Sequence, residues 1–491
     1  MRSLRLIALL AIPAQLAFAQ QPTATATTAS GVPLSLDEAI TTAQRNNPNF
    51  QQFKNNLRST EAQVRAAKGA LLPQVNANFR TGYQQGGSQY IQGVQLGSTD
   101  SYQSSYSLGL SYNINPSAAF VPRAARAQRD AAEADITSQS ESLRSGITSA
   151  YITALQQQAL AAVADTLVAS AQGQLDLVNA KMELGAATIV DVRGAEVSVG
   201  QAQVQSLNLH NAAQVAKLQL YQLMGVPADL SRPLTTQFAV APPTVSVDSM
   251  IALARRVNPD LAAKKSRETA SEMNVKVAKS SYLPSLQLST GYGAQAFGYA
   301  NPDALVQSQQ AANSRSYKSC IASDSLRVGA GLAPVPCDPG ILSPDEISAI
   351  RATNRPFSFN KSPYSIGASL SLPIFNGFAR EANVEQNKVA RDNALNDVRA
   401  RELQITTDVT QAYLTLLADY KAIDLQTTLA AQASANLDAQ EERYKVGAAT
   451  FLDVTTARAT YEQQQIARVN AVYEYHRAFA ALENAVGRPL R

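Results

Sequence analysis

The stretches Leu184-Gly-Ala-Ala-Thr-Ile-Val-Asp-Val192 and Val446-Gly-Ala-Ala-Thr-Phe-Leu-Asp-Val454 decide the fold, because they are one motif used twice, 262 residues apart. Each follows a long segment with helical periodicity and opens another. The glycine fits the residue just past a helix C-terminus, where a left-handed backbone is needed. Thr188 and Thr450, each with an aspartate three residues on, fit a capping box. A turn this short reverses the chain, so we expect two long helical hairpins with matching tips.

The N-terminus has the pattern of a secretory signal. Arg2 and Arg5 precede an apolar run that ends in the A-x-A sequence Ala17-Phe18-Ala19. We therefore expect residues 1–19 to be removed and residues 20–34 to form a disordered leader. No later run approaches the roughly 18 apolar residues of a membrane helix. The small net charge of +4 argues against a nucleic-acid partner.

The remainder reads as an internal duplication, with a first repeat at 35–227, a linker at 228–245 and a second repeat at 246–489. The offset between matching residues is 211 near the start of each repeat and 262 from the middle onward. The extra residues fall in 294–363, an irregular segment rich in Gly, Pro and Ser that we predict to be a long loop.

Each repeat is predicted to begin with a helix, at about 36–70 and 247–280. Two segments in which apolar and polar residues alternate follow in each repeat, at about 74–83, 105–114, 285–293 and 364–374. Such strands are typical of a transmembrane β-barrel, although a soluble sheet with one wet face shows the same alternation. The small, uncharged polar face favours the barrel. Because the smallest barrels need about eight strands, four must be completed by other copies of the chain.

The segments between strands and tips are predicted to be long helices that pack as coiled coils. No Gly or Pro occurs from Phe378 to Val446, which at about 1.5 Å per residue gives roughly 100 Å of helix. Apolar residues recur every seven positions, the period of coiled-coil packing. These rows are Val409, Leu416, Ile423, Ala430, Leu437 and Tyr444, and in the first repeat Ile147, Ala154, Ala161, Val168, Leu175 and Met182.

Taken together, the duplication, the Tyr-x-Val-Gly-x-x-Thr-x-x-Asp-Val pattern at 444–454 and the Leu-Pro before each first strand resemble the TolC family of bacterial outer-membrane efflux and secretion channels. The resemblance covers nearly all of 35–489. It implies a mixed α and transmembrane β fold: a homotrimer whose 12 strands form one outer-membrane barrel, continued by a helical barrel through the periplasm. It also implies a passive duct in the outer-membrane lipid, recruited by an inner-membrane pump of the RND or ABC type through a periplasmic adaptor (membrane fusion) protein.

The resemblance assigns roles to residues at the tips. Family aspartates form rings at the narrowest point, and Asp191 and Asp453 match them by position. A second family aspartate is Thr456 here, and an arginine that latches some members shut is Ala449. Tyr444 matches a tyrosine of the closed-state network. Both aspartates also have a purely structural explanation, because acidic residues stabilise the first turn of a helix, so the two roles stay open.

The tips are also the expected contact surface for the adaptor, through small-residue packing. The residues concerned are Gly185, Ala186, Ala187, Thr188, Gly447, Ala448, Ala449 and Thr450.

Few residues suit covalent or metal chemistry. Cys320 and Cys337 are the only cysteines, and in an exported chain we expect one disulfide, with two free thiols as the alternative. His210 and His476, the only histidines, have no ligand partner at suitable spacing, so no metal site is predicted. No catalytic motif occurs, so the chain is expected to be neither an enzyme nor a cofactor-binding protein.

The prediction is therefore the exit duct of a tripartite efflux system or a type I secretion system. The rival from another class is a periplasmic coiled-coil adaptor without a pore. Such adaptors have one helical hairpin, whereas this sequence predicts two hairpins and four amphipathic strands.

Overall fold

The computed structural model describes residues 33–91, 94–97, 100–355, 357–361 and 363–490. The predicted signal 1–19 and the leader up to residue 32 lie outside these ranges. The described chain divides into two compact units, one containing Gly146–Pro242 and Ala418–Arg477, the other containing Pro48–Ser145 and Pro243–Leu417. Within the described residues, none of the helices is long and apolar enough to cross a membrane.

The helices are α1 (Leu36–Asn46), α2 (Pro48–Gly69), α3 (Val121–Glu183), α4 (Ile189–Met224), α5 (Val247–Val257), α6 (Pro259–Lys279), α7 (Asp303–Gly329), α8 (Pro344–Thr353), α9 (Ala379–Lys445) and α10 (Phe451–Val486). The strands are β1 (Gln74–Gln84), β2 (Ser88–Ile91), β3 (Val94–Gly97), β4 (Ser101–Ile114), β5 (Ser285–Tyr299), β6 (Asn360–Lys361) and β7 (Ser365–Ser371). The predicted order of helix, strands and helical hairpin is thus present in each half of the chain.

The first helix of each half is broken in two, whereas the sequence predicts single helices at about 36–70 and 247–280. The breaks lie at Asn47 and Asn258, whose backbones are extended, with ψ of 120° and 119°. Each precedes a proline, which disfavours the α conformation in the residue before it and has no N–H for the helix. The Asn258 side chain then caps α6 by accepting from the N–H groups of Asp260 and Leu261, both at 3.1 Å.

The four long strands form one antiparallel sheet in the order β1-β4-β5-β7, with the short β6 also on β5. The register sets Phe79 opposite Tyr106 and Tyr106 opposite Ala294. Because directly opposed residues share a face, the apolar positions of all four strands lie on one face of the sheet. That face includes Val75, Ala77, Phe79, Leu108, Leu110, Ile114, Leu286, Leu288, Tyr292, Ile366 and Leu370.

Strand bounds differ from the predicted ones at three places. β4 starts at Ser101, before the predicted 105, and β5 runs through Gly293 to Tyr299, beyond the predicted end at 293. At Gly293 an added Cβ would lie 2.5 Å from the Tyr106 carbonyl oxygen, so this glycine permits close pairing instead of ending the strand. β7 ends at Ser371, shortly before Pro373, which has no N–H for the ladder.

The segment 294–363 is not the irregular loop that the sequence predicts, since it completes β5 and contains α7 and α8. Its glycines and prolines are concentrated between the two helices, whereas the α7 stretch has no proline and no glycine before Gly329. The predicted disulfide is confirmed: Cys320 on α7 is bonded to Cys337 in the connection to α8, with Cα atoms 5.8 Å apart.

The predicted coiled-coil row is confirmed in α9 and is partly wrong in α3. In α9 all its members are buried except the half-buried Ile423. In α3 the row is buried only as far as Ala161, and Met182 is 37% exposed. Burial passes to Ala164, Ala171 and Val178, each four residues before a predicted position. The buried stripe of α3 therefore shifts by four residues beyond Ala161, whereas the stripe of α9 keeps its seven-residue period over the same length.

Candidate functional site

Both hairpin tips end their first helix in the same hydrogen-bonded turn. Gly185 and Gly447 have φ of 73° and 81°, as predicted. In the first tip, the N–H of Gly185 donates to the Met182 carbonyl at 2.9 Å and that of Ala186 to Lys181 at 2.8 Å. The second tip repeats this pair of bonds at 3.1 and 2.7 Å. This is a Schellman motif, which satisfies the last carbonyl groups of the helix and turns the chain back.

The next helix of each tip starts with the predicted capping box. The carboxylate of Asp191 accepts from the backbone N–H and the hydroxyl of Thr188, at 2.8 and 2.7 Å, and the N–H of Asp191 donates to the hydroxyl at 3.3 Å. Asp453 and Thr450 make the same three bonds at the same distances. One carboxylate oxygen of each aspartate is therefore fixed by its own tip.

The two tips pack on each other around Tyr444. This residue, 5% exposed, shares a core with Val192 of the first tip and Val454 of the second. The Lys181 ammonium lies over the Tyr444 ring, 4.2 Å from its centroid, and donates to the Tyr444 carbonyl. Burial raises the pKa of the Tyr444 phenol, and the negative charge of Asp191 adds to the rise. Tyr444 and Asp191, predicted separately, are thus brought together, while Asp453 caps the other hairpin.

The cap also sets the charge state of Asp453. The Thr450 backbone N–H, followed by its hydroxyl, holds the pKa of this carboxyl below its ordinary value. Within one chain this aspartate is consequently ionised at neutral pH. Crowding of like charges, which would raise the pKa in a ring, requires further copies of the chain.

Two contacts near the tips had not been predicted. The ring of Phe451 lies over Gly194, where an added Cβ would be 2.9 Å from the ring edge. A glycine inside a helix costs about 1 kcal/mol relative to alanine. A glycine at position 194 of a predicted helix therefore indicates close packing against another group, and this is the sequence signal for the contact. In the first tip, the position that corresponds to Phe451 is Ile189, which is 57% exposed.

The second unpredicted contact is a buried ion pair. The side chain of Arg458, 8% exposed, donates to Glu441 at 2.7 Å and so joins α9 to α10. Beside it lies a cavity of about 290 Å³ between α3, α4 and α10, lined by Gln201, Gln205 and Glu462 among others. Burial raises the pKa of the Glu462 carboxyl, and the positive charge of Arg458 lowers it in part. No sequence motif marks this pair.

The predicted contact residues differ in their exposure. Ala187 and Ala449 are half-buried against the shared core, whereas Ala186, Ala448, Thr188 and Thr450 are exposed. Among the described residues no three His, Cys, Asp or Glu side chains are grouped to hold a metal ion. His210, for which the sequence offered no partner, lies 3.0 Å from Asp165 on the facing helix.

The chain matches the family model described as outer membrane efflux protein, over residues 39–226 and 345–488, which is more than half of its length. The chain belongs to this family. It is 24% identical to outer membrane efflux protein BepC of Brucella suis, over 92% of this chain and 85% of that protein. It is 22% identical to outer membrane protein TolC of Vibrio cholerae, over 92% and 90%.

Solved structures agree on the fold. Outer membrane protein VceC of Vibrio cholerae superposes with a TM-score of 0.68 at 18% identity, covering 93% of this chain and 97% of that one. The fold class is therefore that of the outer-membrane efflux channels, and the TolC resemblance is confirmed. The family lies in the outer membrane, extends into the periplasm and conducts in efflux systems, which excludes an adaptor without a pore. Its relatives are channels and not enzymes.

Proposed function

We propose that three copies of this chain form one continuous duct that carries cargo from an inner-membrane pump to the cell exterior. The observation that carries the proposal is the four-stranded sheet with an apolar face and two open edges. In the described chain β1 pairs only with β4, and β7 only with β5. Unpaired edges bind other strands, and pairing β1 of one copy with β7 of the next closes a ring of 12 strands.

The tips support the same assembly. Apolar side chains stand exposed there: Ile189 at 57%, Val190 at 74% and Leu452 at 72%. In one chain, Phe451 of the second tip is seated on Gly194 of the first. The corresponding Ile189 of the first tip stays exposed in its own chain. A neighbouring copy supplies the second tip that this side needs, so the two contacts alternate around the trimer.

The proposed duct is passive, and it opens and closes at the tips. Asp191 and Asp453 line the constriction, where three copies of each carboxylate favour cations in a narrow water-filled neck, and Tyr444 holds the tips together behind it. Contact with a periplasmic adaptor at the exposed alanines and threonines of the tips loosens the hairpins. The chain itself is a channel without catalysis or a cofactor, and the energy for transport comes from an inner-membrane pump of the RND or ABC type.

Reconstitution tests the duct directly. The purified protein is expected to migrate as a trimer and to give discrete current steps in a planar lipid film. A monomer that leaves the film non-conducting would contradict the proposal. As a control for strand pairing, Thr81→Pro within the edge strand β1 is expected to weaken assembly, whereas Pro at the exposed, irregular Ala333 is expected to leave it intact.

The partner is identified by crosslinking in cells. Cysteines placed at Ala186 or Ala448 are expected to capture the adaptor, and co-purification then reports the pump class. Cysteine at Ala187, half-buried between the tips, is the matched control and is expected to capture much less. Equal capture at all three positions would place the docking surface elsewhere.

A further inference from the structure

The apolar face of the sheet changes character at the end of the strands that lies away from the long helices, at Gln84, Ser101 and Tyr299. Over most of the sheet this face is exposed: Leu108 is 52% exposed and Ile366 is 77% exposed. At the far end the same face carries small residues that are covered. Ser104 is 0% exposed, Ala294 is 3% and Ala296 is 1%.

The cover is the segment 303–361, which we call the insert. Its Phe359 ring meets the Tyr106 ring edge-on, with centroids 5.1 Å apart. The Asn354 side chain pairs with the backbone of Tyr299, at 2.7 and 2.8 Å, and lies 2.9 Å from the place of a Cβ on Gly298. The register puts Tyr106 opposite Ala294 and Gly298 opposite Tyr102, so these contacts belong to the apolar face.

The polar face is open at the same level. Gln103, Gln295 and Phe297 alternate with the covered residues along β4 and β5, and all three are exposed. In the barrel proposed above, on which this inference rests, the apolar face meets lipid and the polar face lines the channel. We propose that the insert lies on the membrane side of the barrel rim, against the lipid headgroups of the outer leaflet, and does not plug the channel mouth.

The charges of the insert identify the lipid chemistry. Four of its five acidic side chains are held within the insert: Asp303 by Arg351 at 2.7 Å, Asp324 by the N–H of Val335 at 2.7 Å, Asp338 by the N–H of Gly340 at 2.9 Å, and Glu346 by its capping box. Among the described residues of the insert, the exposed cations without an ion pair are Arg315, Lys318, Arg327, Arg355 and Lys361, of which Arg327 donates to the Ala333 carbonyl. Such a surface is complementary to the phosphate groups of anionic lipid headgroups.

Exposed apolar side chains of the insert suit the same environment. Ile341 is 81% exposed, Leu326 is 77% and Phe357 is 62%. Phe357 lies 6.4 Å from Phe359, which already touches the membrane side of the sheet. Aromatic residues are enriched at membrane interfaces, and cations beside them reach the headgroups. The insert therefore continues the apolar face of the sheet outward into the headgroup layer.

The chain has no tryptophan, so one introduced tryptophan reports its own surroundings. Phe357→Trp places it on the membrane side of the rim. The matched control Phe297→Trp places it at another exposed phenylalanine, on the polar face. The protein is placed in vesicles of phosphatidylglycerol and phosphatidylcholine. Brominated lipid is expected to quench most of the fluorescence of the tryptophan at 357, and aqueous iodide most of that at 297. Equal iodide quenching of both, with no effect of brominated lipid at 357, would overturn the proposal.

Two further measurements distinguish an insert that lies against lipid headgroups from one that plugs the channel. Arg315→Glu with Lys318→Glu is expected to reduce lipid quenching at 357 in the anionic vesicles, whereas Arg80→Glu, on the polar face, is expected to leave it unchanged. Replacing 303–353 by a Gly-Ser linker is expected to preserve single-channel conductance, and a rise would establish a plug instead. Absence of current from the wild-type protein would contradict the proposed duct. The quenching of the two tryptophan variants tests only the position of the insert.

Discussion

Arg458 donates to Glu441 across 2.7 Å and thereby ties α10 to α9 about two turns from the tip, with its side chain only 8% exposed. The first hairpin has no equivalent, because the corresponding residues are Glu196 and Asn179. The two hairpins therefore have the same turns and caps, but only the second has this ion pair between its two helices.

Glu441→Gln is expected to loosen the second hairpin selectively. It leaves the buried Arg458 without its carboxylate, and since Glu441 is itself 28% exposed we expect a loss of about 1–2 kcal/mol, below the range for fully buried pairs. Faster hydrogen exchange in the helix ends beside 447 measures this. Glu196→Gln is the control, because its partner Arg193 is 71% exposed and the pair contributes little. Equal acceleration of hydrogen exchange in both variants would show that the Arg458–Glu441 pair does not stabilise the second hairpin.

Asp453→Asn is expected to weaken cation selectivity in single-channel recordings, because it removes a negative charge from the proposed constriction while an amide can still cap the helix. Asp438→Asn, an exposed change on α9 before the tip, is the control and is expected to leave selectivity near the wild-type value. Selectivity that does not respond at 453 would place the constriction elsewhere.

The Asp453 cap is expected to weaken in acid. The pKa of this carboxyl is lowered from its ordinary value of 3.8, so its stabilising effect is complete above that value and is lost as pH falls through the lower pKa of the folded state. Hydrogen exchange at the N-terminus of α10, followed from neutral pH downward, is expected to accelerate only in this acidic range. In Thr450→Val the same acceleration is expected to shrink, because the hydroxyl bond to the carboxylate is missing.

One substitution is expected to have opposite signs at two glycines. Gly447→Ala forces a Cβ into a left-handed backbone and is expected to cost about 1–2 kcal/mol. Gly200→Ala lies inside α4 with open space around the new Cβ, and is expected to stabilise by about 1 kcal/mol. Thermal dissociation of the purified assembly, compared for the two variants, measures both. Destabilisation at both positions would mean that helix propensity does not govern α4.

The turns, the caps and the strand faces were predictable because each depends on local chemistry: a glycine at positive φ, a threonine with an aspartate three residues on, and alternation along a strand. Packing between distant segments was not. The pairing of Arg458 with Glu441 and the seat of Phe451 on Gly194 depend on how helices meet, which no single stretch records. In α3 the seven-residue pattern does not show that the buried positions shift by four residues beyond Ala161, because that shift depends on which helices pack against α3.

The helices of segment 294–363 were missed for a different reason. The average composition of the segment is rich in Gly and Pro, but none of these residues lies between Pro302 and Gly329, where the sequence can form an uninterrupted helix. The disulfide, in contrast, followed from the cysteine count and the export signal alone.

The inequality of the two tips has a mechanical consequence for a ring of six hairpins. Every second hairpin carries Tyr444, Phe451 and the Arg458–Glu441 pair, while those between carry Met182, Ile189 and no such pair. In the proposed trimer, contacts between the hairpins of one chain and contacts between the hairpins of neighbouring chains then differ in strength, so we expect the ring of tips to open first at three of its six contacts.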